Sequence, residues 1–136
     1  MISDNEAFDS FISDHRWAVL TTLRKDGQPV SSVVAYARDD DTLVISTPGG
    51  TFKRRSLARD PRATLCIITN QEPFNFVSVE GPVDIETDNL LEDTRKVFRN
   101  IADAGWQEPE DLRGWLRDQQ RVILRLRPAR VYGVIR

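Results

Sequence analysis

The sequence contains one cysteine and one histidine, and this scarcity excludes several kinds of chemistry. A single cysteine forms no internal disulfide, and one histidine with one cysteine cannot supply the ligands of a soft metal site. His15 lies beside Arg16, away from any nucleophile-elbow motif, so no Ser/His/Asp or Cys/His catalytic centre is indicated. Cys66 falls within an apolar run, which predicts a small buried side chain rather than a reactive thiol.

Long apolar runs are also absent. No run approaches the ~20 residues that a membrane-spanning helix requires, and the first residues lack the basic and apolar regions of a secretory signal. We therefore expect a cytoplasmic protein with no membrane partner. With 136 residues, of which 40% are hydrophobic, the chain is expected to form one domain spanning residues 1–136.

The chain has little excess charge of either sign. Its formal net charge is −2, whereas general nucleic-acid-binding domains are strongly basic, so no nucleic-acid partner is expected. The charge is nevertheless uneven. Five cations and one anion fall between Thr51 and Arg62, so this segment carries +4 and the rest of the chain −6. A solvated helix face is the plain explanation of such a run, and a site for an anionic ligand is the alternative.

Residues 43–62 favour the anion site. The pattern predicts a strand that ends in Ser46 and Thr47, a Gly-Gly turn, and a helix over residues 52–59. The first turn of such a helix presents free N–H groups and the positive end of the helix dipole. Three consecutive cations lie in that turn: Lys53, Arg54 and Arg55. The combination suits a phosphate group, although the Gly-Lys-Ser/Thr ending of an NTPase P-loop is missing.

Short alternating segments make up most of the remaining chain. Strands are predicted at 17–23, 30–36, 43–47, 63–69, 76–86, 121–126 and 131–135, and helices at 4–14, 52–59, 109–119 and from a cap at Asp88 to Gly105. The alternation within 76–86 predicts one buried and one solvent-facing side, with Ser78 facing solvent. Because strands and helices do not alternate regularly, we expect a mostly antiparallel sheet closed into a barrel.

Four motifs in this order resemble the pyridoxamine phosphate oxidase-like split β-barrel family. They are the hairpin LTTLRKDGQP at 20–29, the strand end IST before Lys53 and Arg54, the DPR segment at 60–62, and the strand VEGPV at 79–83. More narrowly, the chain is similar to the branch of deazaflavin (coenzyme F-420) dependent reductases. The resemblance implies an antiparallel Greek-key split barrel with a few short helices. It also implies a homodimer with two cofactor sites at the subunit interface.

The resemblance further implies which residues form the site. The cofactor phosphate in such proteins lies against strand-end hydroxyls and a cationic pair, which here are Ser46, Thr47, Lys53 and Arg54, with Arg55 adjoining. The ring lies along the hairpin strand after the Asp-Gly turn, which here is residues 28–34 and begins with Gln28, Pro29, Val30 and Ser31. Because proline has no N–H, backbone groups around it are expected to stay free for the polar edge of the ring. Loop residues of the second subunit cover the ring, which here are Phe74, Asn75 and Phe76.

The implied function is an oxidoreductase that binds coenzyme F-420 and transfers hydride to a small organic acceptor. The missing catalytic triad agrees with this function, because the cofactor carries the reactive carbon. Two alternatives stay open: an FMN-binding oxidase or reductase of the same fold, and a non-catalytic F-420 carrier. Pyridoxamine phosphate oxidation is not expected, since the C-terminal Trp and Arg-Leu pair of that enzyme type are absent.

Several side chains are left with less specific expectations. Arg55, Arg59 and Arg62 are candidates to bind the polyglutamate tail that F-420 carries and FMN lacks. Trp106 and Trp115 are interpreted as core residues, with a place beside the ring as the alternative. Solvent, Tyr36 and Tyr132 remain open as the source of a proton.

Overall fold

The computed structural model describes residues 1–136 and contains eight strands, four α-helices and one 3-10 helix. The strands are β1 (Trp17–Leu23), β2 (Pro29–Ala35), β3 (Ala37–Asp39), β4 (Thr42–Pro48), β5 (Arg62–Ile68), β6 (Phe76–Glu86), β7 (Arg121–Leu126) and β8 (Arg130–Val134). The helices are α1 (Glu6–Asp14), α2 (Phe52–Arg59), α3 (Leu91–Asn100) and α4 (Leu112–Asp118), and the 3-10 helix is Ala102–Ala104. No helix has the length and apolar run that crossing a bilayer requires. Every strand pair is antiparallel, which confirms the predicted sheet type.

The long strand β6 joins the two halves of the sheet. Its residues 76–82 pair with β5 on one edge, and 76–80 pair with β8 on the other, whereas its last four residues pair with β7. The strand order is therefore β2-β1-β5-β6-β7-β4-β3, with β8 beside β6. The change of partner falls at Gly81, where a Cβ atom would clash with the backbone of Arg127. Glycine at this position lets β6 pass from one half-sheet to the other.

The main core lies between the half-sheets and is closed by α1. Phe11 and Ile12 of α1 are buried among the strand residues. Tyr36 is fully buried, and its hydroxyl donates a hydrogen bond of 2.6 Å to the carbonyl of Ile12. Helix α2 packs near the end of β1, where Arg59 donates to the carbonyl of Leu23.

An ion-pair network fixes α3 against the sheet. The Arg125 side chain on β7 is only 12% exposed and donates to Asp39 at 2.7 Å, to Asp93 at 2.5 Å and to Glu86 at 3.0 Å. Lys96 of α3 also binds Asp39, at 2.5 Å. The hydrogen bonds from Lys96 and Arg125 hold the pKa of Asp39 below its usual value, against the opposing effect of burial. Helix α3 is thus held by charge as well as by apolar packing.

Two burial predictions for neighbouring strands were wrong. Ser78 is buried at 3% exposure, because β6 is flanked here by β5 on one edge and β8 on the other. Cys66 is only partly buried, since it pairs with Ser78 on the outer side of the sheet while Leu65 and Ile67 face the core. Both residues therefore belong to the outer face of the half-sheet.

Two local predictions also differ from the structure. The short strand β3 raises the strand number from seven to eight, and it turns into β4 at Asp40, whose φ is 51°. Asp88 does not cap α3, because that helix begins after Leu90 and has no side-chain cap. Polar residues at Arg38 and Asp39 concealed β3 from the sequence pattern, since their side chains are partnered by helices elsewhere in the fold.

Candidate functional site

A cavity of about 530 Å³ lies between the barrel and the helical segment that joins β6 to β7. Its volume falls in the usual range for small-molecule sites, about 300–1,000 Å³. The polar part of its lining, called the polar end here, contains Ser46, Thr47, Lys53 and Arg121. The aromatic part, called the aromatic end, contains Trp17, Phe98, Trp106 and Trp115. A cavity with both kinds of lining suits a flat ligand that carries an anionic group.

Arg121, the first residue of β7, organises the polar end. Its Nε donates to Ser46 Oγ and its Nη2 to the Ser46 carbonyl, both at 3.1 Å, and its Nη1 donates to Gln119 Oε1 at 2.7 Å. The guanidinium also stacks on Trp115, 4.2 Å from the ring centroid. The register that pairs Arg121 with Pro48 brings this residue to the end of β4. Arg121 therefore connects the two ends of the cavity.

Lys53 and Arg121 form an uncompensated pair of positive charges. Neither belongs to any of the ion pairs of the structure. Burial, and then the charge of Arg121, lower the pKa of Lys53, and burial lowers the pKa of Arg121. Two partly buried cations without a counter-ion create a strong preference for an anionic ligand.

The N-terminus of α2 adds backbone donors to the polar end. The first backbone hydrogen bond of this helix runs from Arg55 N to the carbonyl of Thr51, so the N–H groups of residues 52–54 have no partner in the chain. Thr51 does not cap the helix, because its hydroxyl donates to the Pro48 carbonyl and lies 3.1 Å from Thr47 Oγ1. Free amides and the helix dipole therefore reinforce the charge of Lys53.

The Gly-Gly turn before α2 needs glycine at only its first position. Gly49 donates its N–H to the Gln120 carbonyl at 2.8 Å, and a Cβ at Gly49 would lie 2.5 Å from that oxygen. Gly50 has no atom within 4 Å of its Cβ position. The close approach at Gly49 joins this turn to the segment before β7, which places Arg121 beside Ser46.

The structure brings together part of the predicted phosphate site. Ser46, Thr47 and Lys53 line the cavity, as expected for a common binding site. Arg54 does not line it, and its Nε instead donates to the Gly49 carbonyl at 2.5 Å. Arg55 is exposed to solvent. Arg54 thus stabilises the turn, while Lys53 and Arg121 supply the charge inside the cavity.

Of the predicted ring strand, residues 28–34, only Val33 and Val34 line this cavity, and the predicted cover residues lie outside it. Gln28, Pro29 and Ser31 are exposed and Val30 is partly buried, and the β2 residues that line the cavity are Val33, Val34 and Ala35. Phe74, in the loop before β6, is 56% exposed. Asn75 accepts a hydrogen bond from Arg136 N, and Phe76 is the first residue of β6. The role of these two groups in binding stays a prediction.

Sequence reasoning missed Arg121, and for the tryptophans it preferred the core over the alternative of a place in the pocket, where both in fact lie. Trp106 is 56% exposed, and Trp115 is partly buried at the cavity, because Leu112 and Leu116 form the inner face of α4. The sequence signal that could have indicated a binding surface is the presence of two tryptophans in a segment otherwise rich in charged residues. Of the proton sources left open, Tyr36 is excluded from the cavity, since its hydroxyl is buried against Ile12 and burial raises its pKa.

Comparison with known proteins agrees with this architecture. A family model described as pyridoxamine 5'-phosphate oxidase matches residues 4–135. The chain belongs to the pyridoxamine 5'-phosphate oxidase family. Its implied split β-barrel, mostly antiparallel with a few helices, is confirmed by solved structures that share the fold of this family member.

Three solved structures illustrate the likeness within the pyridoxamine 5'-phosphate oxidase family fold. A conserved hypothetical protein of Mycobacterium tuberculosis is 23% identical with a TM-score of 0.74, covering 98% of this chain and 84% of that one. A protein named F420 reductase is 23% identical with a TM-score of 0.75, covering 93% and 97%. An FAD-binding protein of Mesorhizobium loti is 19% identical with a TM-score of 0.72, covering 96% and 94%. At these low sequence identities, the structural likeness shows only that this chain and the three proteins share a fold.

Proposed function

We propose that the protein is a cofactor-dependent oxidoreductase that binds coenzyme F-420 in the cavity and reduces a small organic acceptor. The observation that carries this proposal is the pair of partly buried cations, Lys53 and Arg121, which face an apolar cavity without a carboxylate partner. Family membership and the fold shared with a protein named F420 reductase support it.

The residues at the polar end fit a phosphate group. Lys53 offers an ammonium group without a partner, and the first turn of α2 offers unpaired amides. Charge-assisted hydrogen bonds to phosphate oxygens are stronger than neutral ones, so this end is expected to hold the phosphate. Ser46 accepts from Arg121, which leaves its own O–H free to donate to the same group.

The neighbouring surfaces fit a flat ring. Val33, Val34 and Trp17 supply an apolar wall that excludes water. Strand β2 pairs only with β1, so its outer edge keeps unpaired backbone groups, including some at residues 29–31, for the polar edge of the ring. When bound, the cofactor supplies the hydride chemistry, and the protein then needs to position and shield it rather than to provide an acid–base pair.

The charges outside the cavity favour F-420 over FMN. Arg55 is exposed and has no carboxylate partner, and Arg59 donates to the Leu23 carbonyl, beside Arg24 and Lys25 of the next turn. These cations are placed to bind a polycarboxylate tail. Arg62, which was expected to join them, instead pairs with Asp60 at 2.8 Å.

We also propose that the active form is a homodimer. The outer face of the half-sheet containing β2, β1, β5, β6 and β8 carries an uncharged row in register: Val33, Val19, Cys66, Ser78 and Tyr132. Val33 is 67% exposed and Tyr132 43% exposed, which is unusual for apolar side chains on a sheet face. A second copy on this face would cover them and bring the exposed ring of Phe74 near the cofactor of its partner.

Titration of the purified protein with F-420 and, separately, with FMN tests the cofactor proposal. We expect micromolar or tighter binding of F-420 and much weaker binding of FMN, both measured by fluorescence quenching and anisotropy. Replacing Lys53, which lines the cavity, by alanine should cost about 1.5–3 kcal/mol of binding free energy. The Arg99→Ala control, on the exposed side of α3, should leave binding unchanged.

The other outcomes of this titration each have a definite meaning. Tighter binding of FMN would move the protein to the FMN-binding oxidases and reductases of the same fold. Tight F-420 binding, with the reduced cofactor inert towards every acceptor in a screen, would indicate a carrier. Binding of neither cofactor would contradict the proposed function.

A further inference from the structure

The aromatic residues of the cavity are not needed to bind a cofactor phosphate, which takes polar and charged groups. Phe98 and Trp115 pack edge to face with their ring centroids 5.6 Å apart, and this pair forms one wall. Trp106 stands at the rim and is 56% exposed, so most of its ring has no partner within the chain. Exposed aromatic surface beside an apolar cavity is typical of a binding site for another flat ring.

Arg121 has unused hydrogen-bonding capacity at this end. A guanidinium group carries five N–H donors. The chain uses one on Nε, one on Nη1 and one on Nη2, with Ser46 and Gln119 as the acceptors. One N–H on each terminal nitrogen is therefore left without a partner. Two donors on the two terminal nitrogens of a planar cation can bind a carboxylate in the bidentate manner.

The position of Arg121 distinguishes it from Lys53. Lys53 lies at the α2 amides, which form the phosphate end. Arg121 lies on the face of Trp115, 4.2 Å from its centroid, and so borders the aromatic wall. An anion bound by Arg121 is consequently next to the rings, whereas an anion bound by Lys53 is next to the helix terminus.

Resting on the proposed function, which assigns Lys53 and α2 to the cofactor, we propose that Arg121 and the aromatic wall form the substrate subsite. This subsite takes a planar aromatic acid. Its ring packs among Phe98, Trp106 and Trp115, and its carboxylate binds the two free N–H groups of Arg121. Arg121 is then the residue that selects acids over neutral rings of the same shape.

A matched pair of ligands tests this proposal by calorimetric titration. The probes are 2-naphthoate and 2-naphthalenemethanol, which share the ring system and differ in charge. The wild-type protein should bind the acid at least tenfold more tightly than the alcohol. Arg121→Gln should weaken binding of the acid at least tenfold and leave the alcohol unchanged, and Arg121→Lys should restore part of the affinity. Lys53→Met should weaken binding of the acid less than Arg121→Gln does.

Several results would overturn the subsite. They are equal affinity for the acid and the alcohol, no binding of either, or a larger loss of affinity for the acid in Lys53→Met than in Arg121→Gln. If Arg121→Gln fails to fold, the wild-type ligand pair and the Lys53 variant still decide. Failure of F-420 and FMN to bind while naphthoate binds would remove the proposed function and keep the subsite. Cofactor binding without naphthoate binding would remove only the subsite.

Discussion

Lys53 and Arg121 share the polar end of one cavity, where burial and then the charge of Arg121 lower the pKa of Lys53. The two residues are 68 positions apart in the sequence. They meet because β4 pairs with β7 and the Gly-Gly turn then leads directly into α2. This arrangement disfavours the ligand-free protein and favours an anionic ligand, so the same residues control binding and stability.

Lys53→Met should stabilise the ligand-free protein. The substitution keeps a side chain of similar length and removes one of two like charges that are partly buried. We expect an increase in the free energy of unfolding of about 0.5–2 kcal/mol, measured by urea denaturation. The same variant should lose stabilisation by added cofactor. The exposed Arg55→Met serves as the control and should change neither quantity, whereas a less stable Lys53→Met would contradict the charge repulsion inferred here.

Gly49→Ala should disrupt the turn before α2. Its Cβ would lie 2.5 Å from the Gln120 carbonyl, so the Gly49–Gln120 hydrogen bond must move apart. A loss of about 1–3 kcal/mol in the free energy of unfolding is expected, together with weaker cofactor binding. Gly50→Ala is the matched control, because its Cβ position is open and neither glycine has a positive φ. Equal effects of the two substitutions would rule out the close contact as the cause.

Arg125→Met should be strongly destabilising. It would leave Asp39, Asp93 and Glu86 without their shared cation in a site where the Arg125 side chain is only 12% exposed. Breaking a buried ion pair from one side costs about 3–5 kcal/mol, which denaturant titration can measure. Arg95→Met removes pairs that are largely exposed and should cost about 0–1 kcal/mol. A loss for Arg125→Met no larger than that of the control would show that the network contributes little.

Asp9 should make the stability depend on pH in the acid range. Burial opposes ionisation, but hydrogen bonds from Arg38 and from the N–H groups of Ser3 and Ile2 lower the pKa of Asp9 from 3.8 to about 2. A lowered pKa means that this stabilisation is present above pH 3.8 and is lost as the pH falls towards 2. The wild-type protein should therefore lose more stability than Asp9→Asn over that interval in a pH series of thermal melts. Parallel curves would show that Asp9 is not responsible.

Val33→Lys should convert the proposed dimer to a monomer. Val33 is 67% exposed in the uncharged row of the outer face, and a charge there would have to be buried at the interface. Light scattering coupled to size-exclusion chromatography gives the molar mass directly. Ser10→Lys, on the exposed side of α1, should remain dimeric. A monomeric wild-type protein would contradict the interface altogether.

Local sequence patterns were sufficient for most of the framework. The bounds of β1, α2, β6 and β7 agree with those read from the sequence, because hydrophobic alternation and the glycine and proline turns define them locally. Strand β3 was missed, since its charged residues are satisfied by partners on α1 and α3 that only the tertiary structure brings close. The sequence therefore predicted the elements better than their mutual contacts.

In the candidate site, too, the relations between residues close in the sequence could be predicted, whereas the long-range contacts could not. Ser46, Thr47 and Lys53 lie within eight consecutive residues, so the sequence alone could predict that their side chains lie close together. Arg121 reaches them only through the pairing of β4 with β7, and nothing in its own neighbourhood indicated this. Likewise, the aromatic wall depends on how α3 and α4 pack against the barrel. A resemblance at the level of short motifs could not supply these long-range relationships.

Glu86 and Ile123 are cross-strand neighbours, so the segment between β6 and β7 leaves and re-enters the sheet at almost the same point. Closing a chain segment between two fixed points becomes only slowly more costly with length, about 0.6 kcal/mol for each doubling. Insertions, deletions and exchanges within residues 87–120 can therefore accumulate without disturbing the barrel where they keep the contacts of Asp93 with Arg125 and of Gln120 with Gly49. The polar end of the cavity lies on β4, α2 and β7, whereas most of the aromatic wall lies on the segment 87–120. Under the proposed function, substrate choice can therefore diverge in evolution while the residues proposed to bind the cofactor stay the same.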